Sequence, residues 1–555
     1  MRNRTLIFST ALVAACLVAT GVEAQWVSFS DDTGTRLNLE PFADDPTGNP
    51  LQDDQEKDVA VGDLDKDGDD DLIVVRKNPF SNPGERQDVL LMNENGVLVD
   101  RTATLAPGFL TDMTDARDVA IADFTGDGWL DVVVAPTFND TPKFYRNLGE
   151  SGGNWQGLVD ESNRLPAMAP LLICALWAGD VNGDGALDIY LSNYDPGFSG
   201  TKDYLLINDG SGFFADETAA RLGNFANVAF GTSAEIHDVD NDGDQDIVKI
   251  STLYSAPPFS LGQFILFNDG TGVFDNIPFQ EMPSVSPYFF AAGHLNGDDM
   301  IDFLMVGDAQ DFTAVTTAIV PDQSLTFDTF NLSPSPRTDG FGGNTKLADI
   351  DGDGDLDGGV SPIDVDIQNC PGGGEFALLR NDGTGRMSDP WAGNDPQNFH
   401  TDPHDFAFFD LNSDGCLDIF MGKCTGWEVF VQEDCEPAHE LELTMIGGSC
   451  GGTVTIMGTG FGVNKEVGLV AAANTNGFTK SGGLCAGAEF EVGEPFDLPP
   501  TFAKTDSQGT FVREIETEPG FCLVEALDLF ATCQTSNVLD TDVDAPTGNG
   551  PSSRP

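Results

Sequence analysis

Seven times along this chain an acidic stretch of nine residues runs directly into β-branched and apolar residues. The first copy spans Asp63 to Asp71 and continues as Leu72, Ile73, Val74 and Val75. The others open at Asp123, Asp180, Asp238, His294, Asp349 and Asp410, at intervals of 60, 57, 58, 56, 55 and 61 residues. A near-constant period of this size marks a modular array. Each unit is then one small set of strands that can bury its apolar faces only against its neighbours.

The residue types inside the copies define their chemistry. Oxygen-bearing side chains recur at positions 1, 3, 5 and 9, with glycine at position 6 for a tight turn and a backbone carbonyl available at position 7. Calcium takes about six to eight hard oxygen donors in irregular geometry, whereas magnesium demands strict octahedra and zinc prefers His or Cys. Three copies carry aspartate at 1, 3, 5, 7 and 9: Asp63, Asp65, Asp67, Asp69 and Asp71; Asp238, Asp240, Asp242, Asp244 and Asp246; Asp349, Asp351, Asp353, Asp355 and Asp357. The second copy (Asp123, Thr125, Asp127, Trp129, Asp131) has a hydroxyl at position 3. The third (Asp180, Asn182, Asp184, Ala186, Asp188) and the seventh (Asp410, Asn412, Asp414, Cys416, Asp418) have an amide there. The fifth places His294 at position 1 and Asp299 at the glycine position, leaving Asn296, Asp298 and Asp302. The pattern predicts six calcium sites; the fifth loop stays open between a site and an acidic turn without metal.

An EF-hand closes with Glu at position 12 and continues as a helix. These copies close with Asp at position 9 and continue as Leu-Ile-Val-Val, Val-Val-Val-Ala or Ile-Tyr-Leu-Ser, which are strand sequences. The loop therefore joins two strands, entered from runs such as Val59-Ala60-Val61 and Val119-Ala120-Ile121. Turns such as Asn208-Asp209-Gly210, Asn268-Asp269-Gly270 and Asn381-Asp382-Gly383 then join a third strand to a fourth. Seven four-stranded units predict an all-β fold, a seven-bladed β-propeller, with a linear array as the competing geometry. Closure is favoured because the last unit lacks a fourth strand, and residues 26–40, with Val27-Ser28-Phe29-Ser30-Asp31, match the fourth strands Val97–Asp100 and Phe213–Asp216. A ring closed this way has no free sheet edge at its ends.

The motif Val-Ala-x-x-Asp-x-Asp-x-Asp-Gly-x-x-Asp-Leu-x-Val, with Asn-Asp-Gly-x-Gly-x-Phe-x-Asp downstream, resembles the FG-GAP/VCBS repeat family over roughly residues 26–435. The resemblance implies calcium-binding propellers related to the head of integrin α subunits. The Phe-Gly and Gly-Ala-Pro signatures of integrin-type repeats are mostly missing here, which places the chain nearer a bacterial secreted branch and weakens any transfer of integrin ligand chemistry.

Residues 1–24 read as a secretory signal peptide: Arg2 and Arg4, an apolar run over 6–20, and Val22-Glu23-Ala24 before Gln25. A lipobox at Cys16 is the competing reading, opposed by the apolar run that continues past it. No other stretch is long and apolar enough to span a bilayer. After the propeller (25–435), residues 436–540 alternate apolar and polar residues between Gly-rich turns, which predicts a small β-sandwich, and residues 541–555 read as a disordered tail. Cys450, Cys485, Cys522 and Cys533 fall in that second domain, where pairing of Cys450 with Cys485 and Cys522 with Cys533 is one of three connectivities. Cys416, Cys424 and Cys435 cluster near blade 7, where one disulfide would pin closure, and Cys174 lies in an apolar run as a buried thiol. No pair has CxxC spacing.

The net charge is −65, and 28 acids lie in the seven loops, so −37 remains without them. Nucleic acid and anionic membranes need Lys/Arg patches and are poor partners. The residual repulsion suits a saline or calcium-rich setting. The expected function is a secreted or cell-surface, non-catalytic binding protein for a glycan or an extracellular protein, with loops 194–202, 253–262 and 362–374 as candidate contact segments. The alternative is a polysaccharide lyase or hydrolase, for which His400 and His404 beside Asp402 and Asp405 form the most suggestive group, more simply read as a turn. A P-loop motif is absent.

Overall fold

The computed structural model describes residues 26–433, less short loop segments of which 333–342, 363–375 and 392–398 are the longest, and the backbone of strands between 442 and 540. Each unit forms an antiparallel blade. Blade 1 runs inside to outside through Glu56–Gly62, Asp71–Lys77, Val89–Asn93 and Leu98–Asp100. The same order repeats in blades 2 to 6, which begin at Ala116, Ile173, Ala234, Pro287 and Thr345. Blade 7 has Pro403–Phe409, Asp418–Lys423 and Gly426–Glu433, and its outer strand is Ser28–Asp31 from the start of the chain. There Ser28 faces Glu433 and Asp31 faces Phe430.

The apolar strands after each loop are buried on both faces, and their two faces serve two different cores. In blade 1, Leu72 and Val74 pack with Ala407, Phe409 and Phe420 of blade 7, while Ile73 and Val75 pack with Val119, Val132 and Val134 of blade 2. Equivalent clusters fill the gaps between blades 2 and 3, 3 and 4, 4 and 5, 5 and 6, and 6 and 7. Apolar side chains alternate between left and right neighbours because successive side chains on a strand point to opposite faces. Each fully buried Val, Leu or Ile contributes roughly 1.5–3 kcal/mol, so the ring is held by inter-blade burial and not by any single core. An unbroken circuit of such clusters makes this a seven-bladed propeller and rules out the linear array.

The N-terminal segment departs from the expected single role in blade 7. After Ser28–Asp31, the short helix Thr33–Arg36 reverses it, and Leu37–Asn38 runs parallel to Leu98–Val99 on the outer edge of blade 1. Leu37 and Phe42 enter the apolar cluster between blades 1 and 7, and the Arg36 guanidinium donates to Gly96 O at 2.9 Å. Residues 26–40 thus straddle the closing seam. Lys57, fully buried in blade 1, donates to Lys423 O of blade 7 at 2.9 Å and pairs with Asp53 at 3.2 Å.

Beyond residue 440 the strands form a three-stranded sheet (Glu442–Gly448, Thr453–Thr459, Phe511–Glu516) and a four-stranded sheet (Thr501–Lys504, Glu466–Ala472, Leu523–Asp528, Leu539–Asp540). Residues 1–25 and 541–555, with the leader and tail expected there, lie outside the described residues, as do Cys424 and Cys435. Cys174 is a buried thiol, as its apolar surroundings predict. No helix among the described residues is long and apolar enough to cross a membrane.

Candidate metal sites on the blade loops

Each nine-residue loop joins the inner strand of its blade to the second. Two left-handed residues fold it. Position 6 is glycine at φ between 84° and 97° in every loop but the fifth, as expected, and position 4 is left-handed throughout. Lys66, Asn241 and Ser413 occupy position 4 without being glycine, at φ 63°, 56° and 58°. Sequence alone does not mark them, because only glycine advertises that conformation.

The first aspartate caps the turn at position 6. Gly68 N donates to Asp63 Oδ2 at 3.1 Å, and the same bond recurs to Asp123, Asp180, Asp238, Asp349 and Asp410 at 2.7–3.1 Å. At position 3, Asn182 Oδ1 and Asn412 Oδ1 accept from position 5 N–H at 2.9 and 3.0 Å, as Asp65 Oδ1 does at 3.2 Å. The amides therefore replace the carboxylate in place. Position 7 presents its N–H to the carboxylate of position 5 whether it is Asp69, Trp129, Ala186, Asp244, Asp355 or Cys416. That bond uses only the backbone of position 7, so it forms whatever side chain stands there.

The ninth residue plays a larger part than a ligand alone. Asp71 is buried; its Oδ2 accepts from Leu64 N at 3.1 Å and its Oδ1 from Asn93 N at 2.8 Å, tying the loop to the third strand. Asp131, Asp188, Asp246, Asp302, Asp357 and Asp418 repeat this, each receiving the N–H that ends the third strand at 2.7–2.9 Å. Burial pushes these carboxyls up, to about 8 at Asp71, about 9 at Asp246 and about 8 at Asp357, and to about 6 or 7 in the other four loops.

Three loops gather carboxylates tightly. Oxygens of Asp63, Asp65 and Asp71, of Asp238, Asp240 and Asp246, and of Asp349, Asp351 and Asp353 lie within 4.8 Å of one another. These are the three loops with aspartate at every odd position. Buried oxygens without hydrogen-bond donors lie among them: Asp63 Oδ1, Asp349 Oδ1 and both oxygens of Asp240. Burial, reinforced by the neighbouring acids, drives Asp240 up to about 7 and Asp244 to about 6. Burial likewise lifts Asp349 to about 6. Orphaned acceptors and crowded like charges are what a hard divalent cation relieves, so the donor set fits calcium. The sixth loop is partly balanced already, since Trp26 Nε1 donates to Asp351 Oδ2 at 2.6 Å and Arg380 lies 3.3 Å from the same carboxylate.

The fifth loop is built differently. His294 Nδ1 lies 3.0 Å from Met300 O, the carbonyl at position 7. Asn296 donates to Asp298 Oδ2 at 2.9 Å, and Asp298 caps Met300 N at 2.9 Å. An imidazole N–H and an amide here satisfy the oxygens that a cation would satisfy elsewhere. Asp299 at position 6 is not left-handed, and the cap from position 1 is lost with the carboxylate.

The asparagines that open the Asn-Asp-Gly turns form those turns and also have a second role. The asparagine ending each third strand spans the gap between blades. Its Nδ2 donates to the carbonyl of position 2 in the preceding blade's loop: Asn93 to Leu411, Asn147 to Leu64, Asn208 to Phe124, Asn268 to Val181 and Asn381 to Leu295, at 2.7–2.9 Å. Gln432 does the same to Ile350 at 3.2 Å. In blade 5 the position is Thr316, whose hydroxyl turns back to Ile301 O of its own loop at 2.6 Å. The loop contacts extend this circuit, with Ser413 donating to Asp69 at 2.7 Å and Lys66 lying 4.6 Å over the Trp129 ring.

The model of the FG-GAP-like repeat matches residues 63–134, 123–191 and 180–248, each match opening on the first aspartate of a loop. The chain belongs to the FG-GAP repeat family. Among curated proteins, none matches. Two solved structures show low similarity to the chain. One is an Agrocybe aegerita lectin described by its specific recognition of non-reducing terminal N-acetylglucosamine, 15% identical, TM-score 0.38, covering 67% of this chain and 86% of that one. The other is the Photorhabdus luminescens Tc holotoxin pore, 13% identical, TM-score 0.32, covering 70% of this chain and 17% of that one. At this similarity neither bears on ligand or mechanism.

Of the alternative group His400, Asp402, His404 and Asp405, only His404 and Asp405 lie among the described residues. His404 and Asp405 lie inside the inner strand Pro403–Phe409, not in a turn, and His404 is 1% exposed. His400 and Asp402 lie outside the described residues, as do 195–200 and 363–374 of two candidate contact loops, whereas the third, 253–262, is described from 255 onward with Ala256 and Phe259 buried.

Proposed function

We propose that this FG-GAP repeat protein is an exported, calcium-stabilised propeller that binds a glycan or a protein of the cell surface or matrix without transforming it. The observation carrying this is the register of the acidic loops. Six copies present oxygen donors at positions 1, 3, 5 and 9 beside an inter-blade amide, asparagine in five blades and Gln432 in blade 7, so a cation held there is architectural; a catalytic metal would be needed once, with an open position. Calcium would be held by Asp63, Asp65, Asp67 and Asp71 and by their counterparts in loops 2, 3, 4, 6 and 7, where it would neutralise the crowded carboxylates. The protein then supplies a rigid ring whose loops are free to vary. Export is supported by the apolar N-terminal segment and by the cysteine content.

The test is a glycan array and a panel of matrix proteins probed with full-length protein, in millimolar calcium and in EDTA. Calcium-dependent binding with no new reducing ends or unsaturated products is expected. Turnover of a bound polysaccharide would overturn the reading in favour of a lyase or hydrolase.

A further inference from the structure

The inner strands of the blades enclose a cavity of about 450 Å³ on the propeller axis. Most of its wall is small or apolar: Ala60, Ala120, Ala175, Ala178, Phe289 and Phe290. Against that background stand three acids (Asp58, Asp118, Glu235), two cations (Arg117 and Lys346) and the half-buried indole of Trp177. The inner strand carries a bulge just before Asp118 in blade 2 and just before Asp405 in blade 7, whereas Asp58 and Glu235 sit on strands in regular register. A bulge re-aims the side chains next to it.

Part of the acidity has a structural duty. Asp118 Oδ2 accepts from Leu176 N of blade 3 at 2.6 Å, Asp405 Oδ2 from Val59 N of blade 1 at 2.9 Å, and Glu235 Oε2 from Ala292 N of blade 5 at 3.2 Å. That duty does not account for Asp58. Its Oδ1 caps the adjacent Val59 N–H at 2.7 Å, and its carboxyl faces Asp405 and Asp118. Asp405 is fully buried, its Oδ1 receives no N–H, and its carboxyl shares a side-chain hydrogen bond with that of Asp58. Lys346 is the cation there, 2.9 Å from Asp405 Oδ2, with its other bonds spent on Val59 O and Phe406 O. Three carboxyl groups thus share one lysine. Burial and the neighbouring acids hold Asp58 well above the usual carboxylate range, and burial lifts Asp118 to about 7. The cluster needs one more positive charge, which a proton supplies when nothing else does.

We propose that the axial cavity binds a small organic cation, a protonated primary amine carried on a sugar-sized or short alkyl body. Asp58 and Asp118 take the ammonium, and Trp177 supplies a flat aromatic face for the body or the charge. This site rests on the binding reading above and names the chemistry it selects.

The test uses calcium-saturated full-length protein titrated calorimetrically with glucosamine and with cadaverine, and with glucose and N-acetylglucosamine as neutral counterparts. Binding of either amine, at least about tenfold tighter than the neutral sugars, is expected. Glucosamine alone would assign the amine to a glycan, cadaverine alone to an alkyl amine such as a lysine side chain. Asp118→Asn should weaken amine binding about tenfold. Trp177→Leu should weaken it roughly fivefold, with a small fall in melting temperature because Trp177 also packs on the apolar cluster between blades 3 and 4. Equal binding of amines and neutral sugars, no amine binding at millimolar concentration, or an unchanged affinity in Trp177→Leu would overturn the proposal. So would a calcium ion bound beyond the loop sites and lost in Asp118→Asn. A glycan array that stays positive while the amines fail overturns this inference alone.

Discussion

The fourth and fifth loops follow one another in the ring and solve one problem in opposite ways. Asp238, Asp240 and Asp246 crowd three carboxylates into one volume, leaving Asp240 without a donor to either oxygen. His294 and Asn296 fill the corresponding volume with N–H groups aimed at Met300 O and Asp298. Both loops keep the buried ninth aspartate pinned to the third strand, Asp246 to Asn268 N and Asp302 to Thr316 N. The turn is therefore a property of the backbone and its ninth residue, and what neutralises its centre is interchangeable. An external cation makes the loop conditional on the medium, and an imidazole makes it unconditional.

The most severe way to break the comparison is to remove calcium. At about tenfold excess over Kd each site contributes roughly 1.4 kcal/mol, so six contribute on the order of 8 kcal/mol. For a ring of about 400 residues that is a fall in Tm on the order of 10 °C in EDTA, followed by calorimetry. Hydrogen exchange should show loops 1, 4 and 6 opening while loop 5 holds; a Tm unmoved by EDTA would reject the calcium assignment.

Next in size is the pH response of the metal-free protein. The ninth aspartates have folded pKa values of about 6 to 9, above the ordinary 3.8, so the folded state binds more protons. Their contribution is complete below about pH 4 and is lost as pH rises through the folded values. In EDTA, Tm should fall between pH 5 and 9, whereas saturating calcium should flatten or reverse the slope because ligand deprotonation favours the metal. Asp53, held well below its usual range by Lys57 and Arg76 despite its burial, works the other way and its contribution is lost as pH falls below about 4. A metal-free Tm that climbs from pH 5 to 9 would contradict the picture.

Smaller effects separate blade 4 from blade 5. Asn268→Ala strands the carbonyls of Val181 and Gln245 and should cost about 2–3 kcal/mol in denaturant unfolding. Thr316→Ala, which removes only a bond within its own loop, should cost about 1 kcal/mol. Equal costs would mean that the asparagine does not act between blades. The double change His294→Asp with Asp299→Gly should add one calcium to the count measured by elemental analysis, worth about 1.4 kcal/mol at tenfold excess.

What could be read from the chain follows the range of the interactions. Alternating runs such as Leu72–Val75 and the aspartates at fixed spacing are local, so strands, loops, blade number and the closing strand were all legible. The inter-blade asparagines were not, because Asn268 and Val181 are 87 residues apart and Asn93 and Leu411 are 318 apart. The splitting of residues 26–40 between two blades was hidden for the same reason: nothing near Leu37 states that it will meet blade 1. At the metal loops the acids were identified, but the double duty of Asp71 and its counterparts appears only once the third strand is in place.

Ser28–Asp31 pairs with a strand some 400 residues further on. The first blade-forming stretch to emerge during synthesis is thus the last to find its partner, and every earlier stage is an open crescent with two unpaired rims. Until Gly426–Glu433 arrives, those rims are liable to join another chain's, and a bulky fusion placed just ahead of Trp26 would hold the latch ajar.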